Sequence, residues 1–234
     1  MQQLWLCDTE TTGLGPQAEA VELGLIRVDE NLVELARYES LIKPSIEISP
    51  TASAIHGIYD EDVQRPDCPT IFEFFDEMRE AGETFEDVCF IAYNSRFDYP
   101  HYKNHMDIKS EFCALRFARR YVSGTDDRPL ANHKLATVAE FLELPPERAH
   151  AALGDVLYTL GMLRKVVPTT GKVFLELIEE AKKPRILETM PWGKHEGWKM
   201  EHVPPRYLKW LQDSNPDGLD VDMTLTINTL LGKT

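Results

Sequence analysis

An α/β fold in which a mixed sheet is flanked by helices is what this sequence predicts, and three observations predict it. Apolar runs at 2–8, 19–28 and 31–42 follow one another closely, with Asp29, Glu30 and Asn31 supplying the second turn. That is the pattern of three successive strands in an antiparallel meander. A fourth short apolar run, 88–93, stands among segments of helical periodicity near 70–81, 97–108, 111–122, 133–143 and 151–167. Helices are therefore available to cover both faces of a sheet.

The first strand carries the first functional signal. Leu4, Trp5, Leu6 and Cys7 lead into Asp8 and Glu10 within L-W-L-C-D-T-E-T-T-G, and Gly13, Gly15 and Pro16 end the run. Side chains alternate along a strand, so Asp8 and Glu10 share one face. Two carboxylates at a buried strand end raise each other's pKa unless a cation lies between them, and a hard divalent ion meets that need. Taken alone, the same triplet is also the pattern of ordinary solvated loop acids.

The strand at 88–93 runs into Asn94–Asp98, the turn into the next helix. Phe97 can face inward as an anchor while Asp98 stays at the strand's carboxyl end, where open α/β sheets place their sites. Asn94 reads equally as a turn or helix-cap residue. In the last long helix, Leu153, Val156, Leu157, Leu160, Leu163 and Val167 repeat at helical spacing. Asp155 then falls in an early turn, with His150 just before it, and the two can face one cleft. In isolation they would read as a cap and a surface charge. Three acid-bearing pieces at element ends read together as one site.

In this order, D-x-E-T-T-G, N-x-x-F-D and H-x-A-x-x-D resemble the motifs of the DEDDh 3′→5′ exonucleases, over about residues 1–167. S-P-T-A-S-A-I-H-G-I at 49–58 is similar to a further segment of that family. F-C-A-L-R-F-A-R-R-Y, N-H-K-L-A-T-V-A-E-F-L and the tail M-P-W-G-K-H-E-G-W-K-M-E-H-V-P-P-R-Y-L-K-W-L resemble its exodeoxyribonuclease X branch. One departure is Tyr93, where many relatives have His; it lies outside the five reactive positions.

The resemblance implies a ribonuclease H-like, mixed five-stranded sheet flanked by helices, with a small C-terminal α+β module. It implies a metal-dependent 3′→5′ exodeoxyribonuclease of DNA repair or phage DNA metabolism, acting on DNA 3′ ends, single-stranded or in a frayed duplex. Asp8, Glu10 and Asp155 would hold one ion and Asp8 would help hold a second. Asp98 would complete the shell directly or through water, and His150 would be the general base. Imidazole suits that task because its ordinary pKa of about 6.5 lies near working pH. Oxygen ligands suit two Mg²⁺ or Mn²⁺ ions and argue against zinc. Thr11 and Leu14 would pack against the terminal nucleotide, with Asn94, Phe97 and His56 completing the substrate set. RNA 3′-end trimming is the alternative within the enzyme class. A noncatalytic nucleic-acid-binding or polymerase-associated subunit is the alternative outside it, although all five reactive residues are present.

A boundary is expected near Lys182–Pro184, after an amphipathic helix at 171–181, giving a nuclease domain at 1–183 and a module at 184–234. In the tail, Trp192 to Trp198 reads as a turn between short strands. Pro204 and Pro205 precede a helix with Tyr207, Leu208, Trp210 and Leu211, and Leu219, Met223, Ile227 and Leu230 repeat at helical spacing. Such a module either packs on the nuclease or contacts DNA through Lys194, Lys199, Arg206 and Lys209, which are interleaved with aromatics.

Composition bounds these readings. At 234 residues and 43% hydrophobic content, the chain can bury one substantial core and carry a small second module. No apolar stretch is long enough to span a membrane, and the amino terminus lacks a basic, cleavable pattern, so a cytoplasmic protein is expected. Cys7, Cys68, Cys89 and Cys113 show no C-x-x-C spacing and suit a reducing compartment. The net charge of −14 weighs against a long phosphate-contacting surface. Short footprints are expected instead, with Arg116, Arg119 and Arg120 as local basic groups, and a homodimer is compatible with the chain.

Overall fold

The computed structural model describes residues 2–147, 150–215 and 219–232. Two compact units divide the chain, Met1–Ala181 and Lys182–Thr234.

The first unit is built on a five-stranded sheet. Its strands are β1 (Gln3–Thr11), β2 (Ala20–Val28), β3 (Glu34–Leu41), β4 (Val88–Ala92) and β5 (Ile108–Cys113), in the order β3-β2-β1-β4-β5. The meander β1–β2–β3 is antiparallel, while β1, β4 and β5 run parallel. Between β3 and β4 lie α1 (Pro50–His56), α2 (Asp60–Val63) and α3 (Ile71–Glu80). Helix α4 (Ser95–Tyr102) joins β4 to β5, and α5 (Ala114–Tyr121), α6 (Leu135–Phe141), α7 (Ala152–Val166) and α8 (Phe174–Ala181) follow.

Strand β1 shows why the sheet needs helices on both sides. Leu4 and Leu6 enter one core with Ile26, Val28, Ile91 and the α7 residues Val156, Leu160 and Leu163. Trp5 and Cys7 enter another with Leu23, Leu25, Phe90, Phe75 and Tyr102. All of β4 is buried, as expected of a parallel strand covered on both faces. Asp8 and Glu10 continue the Leu4–Leu6 face. The acids therefore emerge on the α7 side, just beyond the end of the core.

Two expected elements differ. The segment 108–113 is an edge strand, although it was expected to close one helix and open the next. Its burial alternates along Ile108, Lys109, Ser110, Glu111 and Phe112, a period of two, and β4 offers it an open parallel edge. The helix expected over 97–108 is accordingly the shorter α4, and the one expected over 111–122 starts at Ala114. Helices α1 and α2 were not expected. The first is marked by Ser49, whose hydroxyl accepts from the Ala52 N–H, with Pro50 in the first turn.

The second unit holds α9 (Pro205–Asp213), α10 (Val221–Leu230) and a 3-10 turn at Met200–His202. Among the described residues, its β component is one antiparallel bridge, Thr189 to Lys199. Leu187, Met190, Met200, Val203, Leu208, Leu211, Met223 and Ile227 form its core. Thr226 links the Leu187 N–H to the Asp222 carbonyl at 2.8 and 2.7 Å, so the chain entering the unit is pinned to α10.

One glycine decides how α7 meets the sheet. Gly24 pairs with Asp8 across β1 and β2, and a Cβ there would lie 2.4 Å from Leu153 N and 2.5 Å from Ala152 C. Those atoms are backbone and cannot swing aside. Gly24→Ala should therefore destabilise the protein by about 3 kcal/mol, the upper part of the range for overpacking. Denaturant unfolding checks this, and a loss below about 0.5 kcal/mol would show that α7 is free to shift away.

Candidate active site

Three elements converge where β1 and β4 end. Strand β1 presents Asp8 and Glu10, α4 presents Asp98 in its first turn, and α7 presents Asp155 in its own. His150 precedes α7 with a left-handed φ of 57°, a conformation costly for a non-glycine residue and typical of side chains held for a task. Its ring is exposed, and the ligand atoms of Glu10, His150 and Asp155 all lie within 4.8 Å of one another. Asp8 and Asp98 stand outside that triplet and couple to it through charge.

The electrostatics are those of crowded acids. Burial, then Asp98, Asp155, Glu10 and Glu22, push the Asp8 carboxyl well above the ordinary range. Glu10 is pushed up to about 7 by burial and by Asp155 and Glu22. Asp98 is only 3% exposed and is raised chiefly by burial, against hydrogen bonds from the Thr9 and Asp98 backbone. Burial also raises Asp155, while the charge and backbone N–H of His150 pull it down. For Asp8, Glu10 and Asp98 the charged neighbours are other acids. A cluster of oxygen donors in that state fits divalent cations of the Mg²⁺ and Mn²⁺ type.

Sequence reasoning missed the groups that hold this cluster. Glu22 pairs with Glu10 across the strands, is buried, and accepts from the Ala152 N–H at 2.7 Å. It thus anchors the amino terminus of α7, where the helix dipole favours negative charge. The signal was one acid inside the apolar run A-V-E-L-G-L-I. On the opposite face, Tyr102 at the end of α4 donates to the Asp8 carbonyl at 2.7 Å. Tyr93 is buried and donates to the His133 carbonyl at 2.7 Å, tying the end of β4 to the chain before α6.

The expected substrate residues divide into two groups. Leu14 is 91% exposed in the loop after β1, Asn94 is exposed at the N-cap of α4, and Phe97 is half-buried rather than fully inward. Thr11 and His56 are buried. The Thr11 hydroxyl donates to the Gly13 carbonyl at 2.7 Å. His56 Nδ1 accepts from the Ile58 N–H at 3.0 Å, which places its proton on Nε2 for the Thr11 carbonyl at 3.2 Å. The Nε2 of His56 thus holds the start of the loop that carries Leu14, while Nδ1 closes the turn after α1.

A sheet of this order, with acids gathered at the ends of β1 and β4 and under α7, defines a nuclease of the ribonuclease H-like type. Residues 6–163 match the family model described as Exonuclease (RNase T), and the chain belongs to this family of DEDDh 3′→5′ exonucleases. It is an exonuclease enzyme. Exodeoxyribonuclease 10 of Escherichia coli K12 is 27% identical over 236 residues, covering 99% of this chain and 100% of the relative. Among solved structures, Escherichia coli exonuclease I with single-stranded DNA and zinc superposes with a TM-score of 0.62 at 19% identity, covering 76% of this chain and 43% of that one. Exonuclease X in complex with 5′ overhanging duplex DNA gives 0.55 at 24%, covering 75% and 98%. These two likenesses concern the fold. Among the described residues, no helix is long and apolar enough to cross a membrane.

The raised carboxyl pKa values make stability depend on pH and metal. Without a cation, the folded state retains protons that the unfolded chain has released, so stability present at low pH is lost as pH rises from about 4.5 through about 7 for Glu10. For Glu10 alone the loss approaches about 3 kcal/mol at most. In EDTA the melting temperature should fall between about pH 5 and about pH 8. Mg²⁺ should raise it more at the higher pH, and Asp8→Asn should stabilise the metal-free protein there. Thermal unfolding that is indifferent to both Mg²⁺ and Asp8→Asn at high pH would count against a cation-binding cluster.

Proposed function

We propose that the protein is a metal-dependent 3′→5′ exodeoxyribonuclease that releases nucleotides from DNA 3′ ends, single-stranded or frayed, in DNA repair or phage DNA metabolism. The observation that carries this reading is the meeting of Glu10, His150 and Asp155 within 4.8 Å, beside Asp8 and Asp98. In support, the similarity to Exodeoxyribonuclease 10 extends over 99% of the chain. The nuclease domain is assigned to 1–183 and the appended module to 184–234.

In this reading Asp8, Glu10, Asp98 and Asp155 hold two Mg²⁺ or Mn²⁺ ions. Bound there, the ions would supply positive charge for the phosphate oxygens and a lower pKa for the attacking water. The chain's own residues do the rest. His150 stands exposed beside Glu10 and Asp155 and accepts the proton of the water whose oxygen attacks phosphorus. The bond from phosphorus to the 3′ oxygen of the preceding nucleotide breaks, which frees a nucleotide and leaves a new 3′ end. Leu14 packs against the terminal base while Thr11 and His56 hold its loop in place. Asn94 and Phe97, at the start of α4 close in sequence to Asp98, complete the substrate contacts in this reading.

Three substitutions and one substrate panel test the assignment. Asp8→Ala and Asp155→Ala should abolish Mg²⁺-dependent cleavage with circular dichroism unchanged. His150→Ala should lose about 10²- to 10⁴-fold in rate while still binding Mn²⁺ and DNA. Near-normal turnover by either Asp variant overturns the metal assignment, and equal losses of rate and DNA affinity in His150→Ala overturn its role as base. With 5′-labelled single-stranded DNA, duplex DNA and RNA, a ladder shortening from the 3′ end should appear on DNA. A ladder confined to RNA would make the enzyme an RNA trimmer.

A further inference from the structure

The acidity of this protein resides in one unit. By sequence, residues 1–181 hold 17 Lys and Arg against 32 Asp and Glu, a net −15, whereas 182–234 hold eight against seven, a net +1. Many cations of the first unit are neutralised by neighbours, as in Arg27–Glu83, Arg37–Glu34 and Arg128–Glu143. In the second unit Lys194, Lys199, Arg206 and Lys209 are exposed, and among the described residues none forms an ion pair.

Those cations flank a row of rings. Trp198 meets His195 edge to face at 4.6 Å, His195 meets Tyr207 edge to face at 4.6 Å, and Tyr207 lies nearly parallel to Trp210 at 5.4 Å. The ends of the row are open, with Trp198 51% and Trp210 55% exposed, while His195 is buried between its neighbours. The turn that closes the row depends on Gly193, where φ is +84° and a Cβ would come within 2.9 Å of the Tyr207 hydroxyl. Lys194 donates its backbone N–H to that same hydroxyl at 3.3 Å. Two large rings left half open on a unit with a small core are costly unless something covers them.

We propose that this row is a stacking surface for the unpaired bases of a polynucleotide single strand. Lys194, Lys199, Arg206 and Lys209 neutralise the phosphates of that strand. Every base offers a π face to an exposed indole, and free cations beside the rings match a phosphate backbone. A duplex fits poorly, because its base faces are already stacked. The proposal rests on the nuclease reading only for choosing a polynucleotide as the occupant.

The test uses the full chain in EDTA, so that binding is read without hydrolysis. Fluorescence anisotropy follows 5′-labelled oligothymidylate, oligouridylate and blunt DNA duplex, each of about 20 nucleotides or base pairs, longer than a single-module site. Both single strands should bind more tightly than the duplex, and the ratio of the two separates a DNA occupant from an RNA one. The double variant Trp198→Ala, Trp210→Ala should weaken single-strand binding by about tenfold or more, with Phe at both positions restoring most of it. Glutamine at Lys194, Lys199, Arg206 and Lys209 should reduce the slope of log affinity against log salt by up to about 3. Mg²⁺-dependent hydrolysis of a trinucleotide should stay near wild type in these variants. Absence of Mg²⁺-dependent hydrolysis by the unmodified chain, with its single-strand binding intact, would sink the nuclease reading and leave this one standing. Unchanged single-strand affinity in the Ala variant, or equal affinity for duplex, overturns the proposal. So does a change from dimer to monomer on sedimentation with affinity unchanged, which would make the rings a contact between copies. If the Ala variant does not fold, the glutamine variant decides, and an unchanged salt slope overturns the proposal.

Discussion

Like-charge crowding under the amino terminus of α7 is the constraint on which the rest of the first unit depends. Asp8, Glu10 and Glu22 sit on one face of β1 and β2, with Asp98 and Asp155 close enough to shift them. Carboxylates at such spacing repel one another, and burial removes the water that would screen them. Two features make the arrangement tolerable in the protein itself. The free N–H groups at the start of α7 face the cluster, and Glu22 takes one of them directly from Ala152. The acids also retain protons more readily than free carboxyls do, so part of the repulsion is removed by neutralisation.

Approach distance then becomes the controlling variable. Helix α7 can bring Asp155 and His150 against β1 only because β2 has no side chain at Gly24, directly opposite Asp8. Behind the sheet, Tyr102 fixes α4 to the carbonyl of Asp8, so the helix bearing Asp98 and the strand bearing Asp8 move as one. Both faces of the sheet are thus braced at the residue where the charges meet. Braced carboxylates with few alternatives to repulsion are preorganised for cations, and that accounts for a buried site built of the residue types least suited to burial.

Charge is distributed over the chain with the same economy. Taken whole, −14 argues against a protein that grips phosphates. Taken by unit, the whole of the imbalance belongs to the nuclease, where short-range contact with a chain end needs few phosphate partners. The second unit is close to neutral and, among the described residues, carries Lys194, Lys199, Arg206 and Lys209 exposed and outside ion pairs beside its open rings. A global net charge averages over these two physical situations and describes neither.

The sequence by itself determined the meander, the buried fourth strand, the long seventh helix and the grouping of Asp8, Glu10, Asp98, His150 and Asp155 into motifs. Each is encoded locally, by periodicity or by acids at the ends of apolar runs. The tertiary structure alone decided what depends on contact between distant segments. Residues 108–113 became a strand because β4 supplied an edge, which a helical pattern beginning at Ala114 obscured. Glu22 and Gly24 acquired their meaning from residue 152, more than a hundred positions away, and a lone acid or glycine in a strand carries no sign of such a partner. His56 was legible as a motif residue, yet its commitment to the Ile58 and Thr11 backbone appears only when α1 lies against the end of β1. Periodicity reports which way a side chain faces, and only packing reports what it meets.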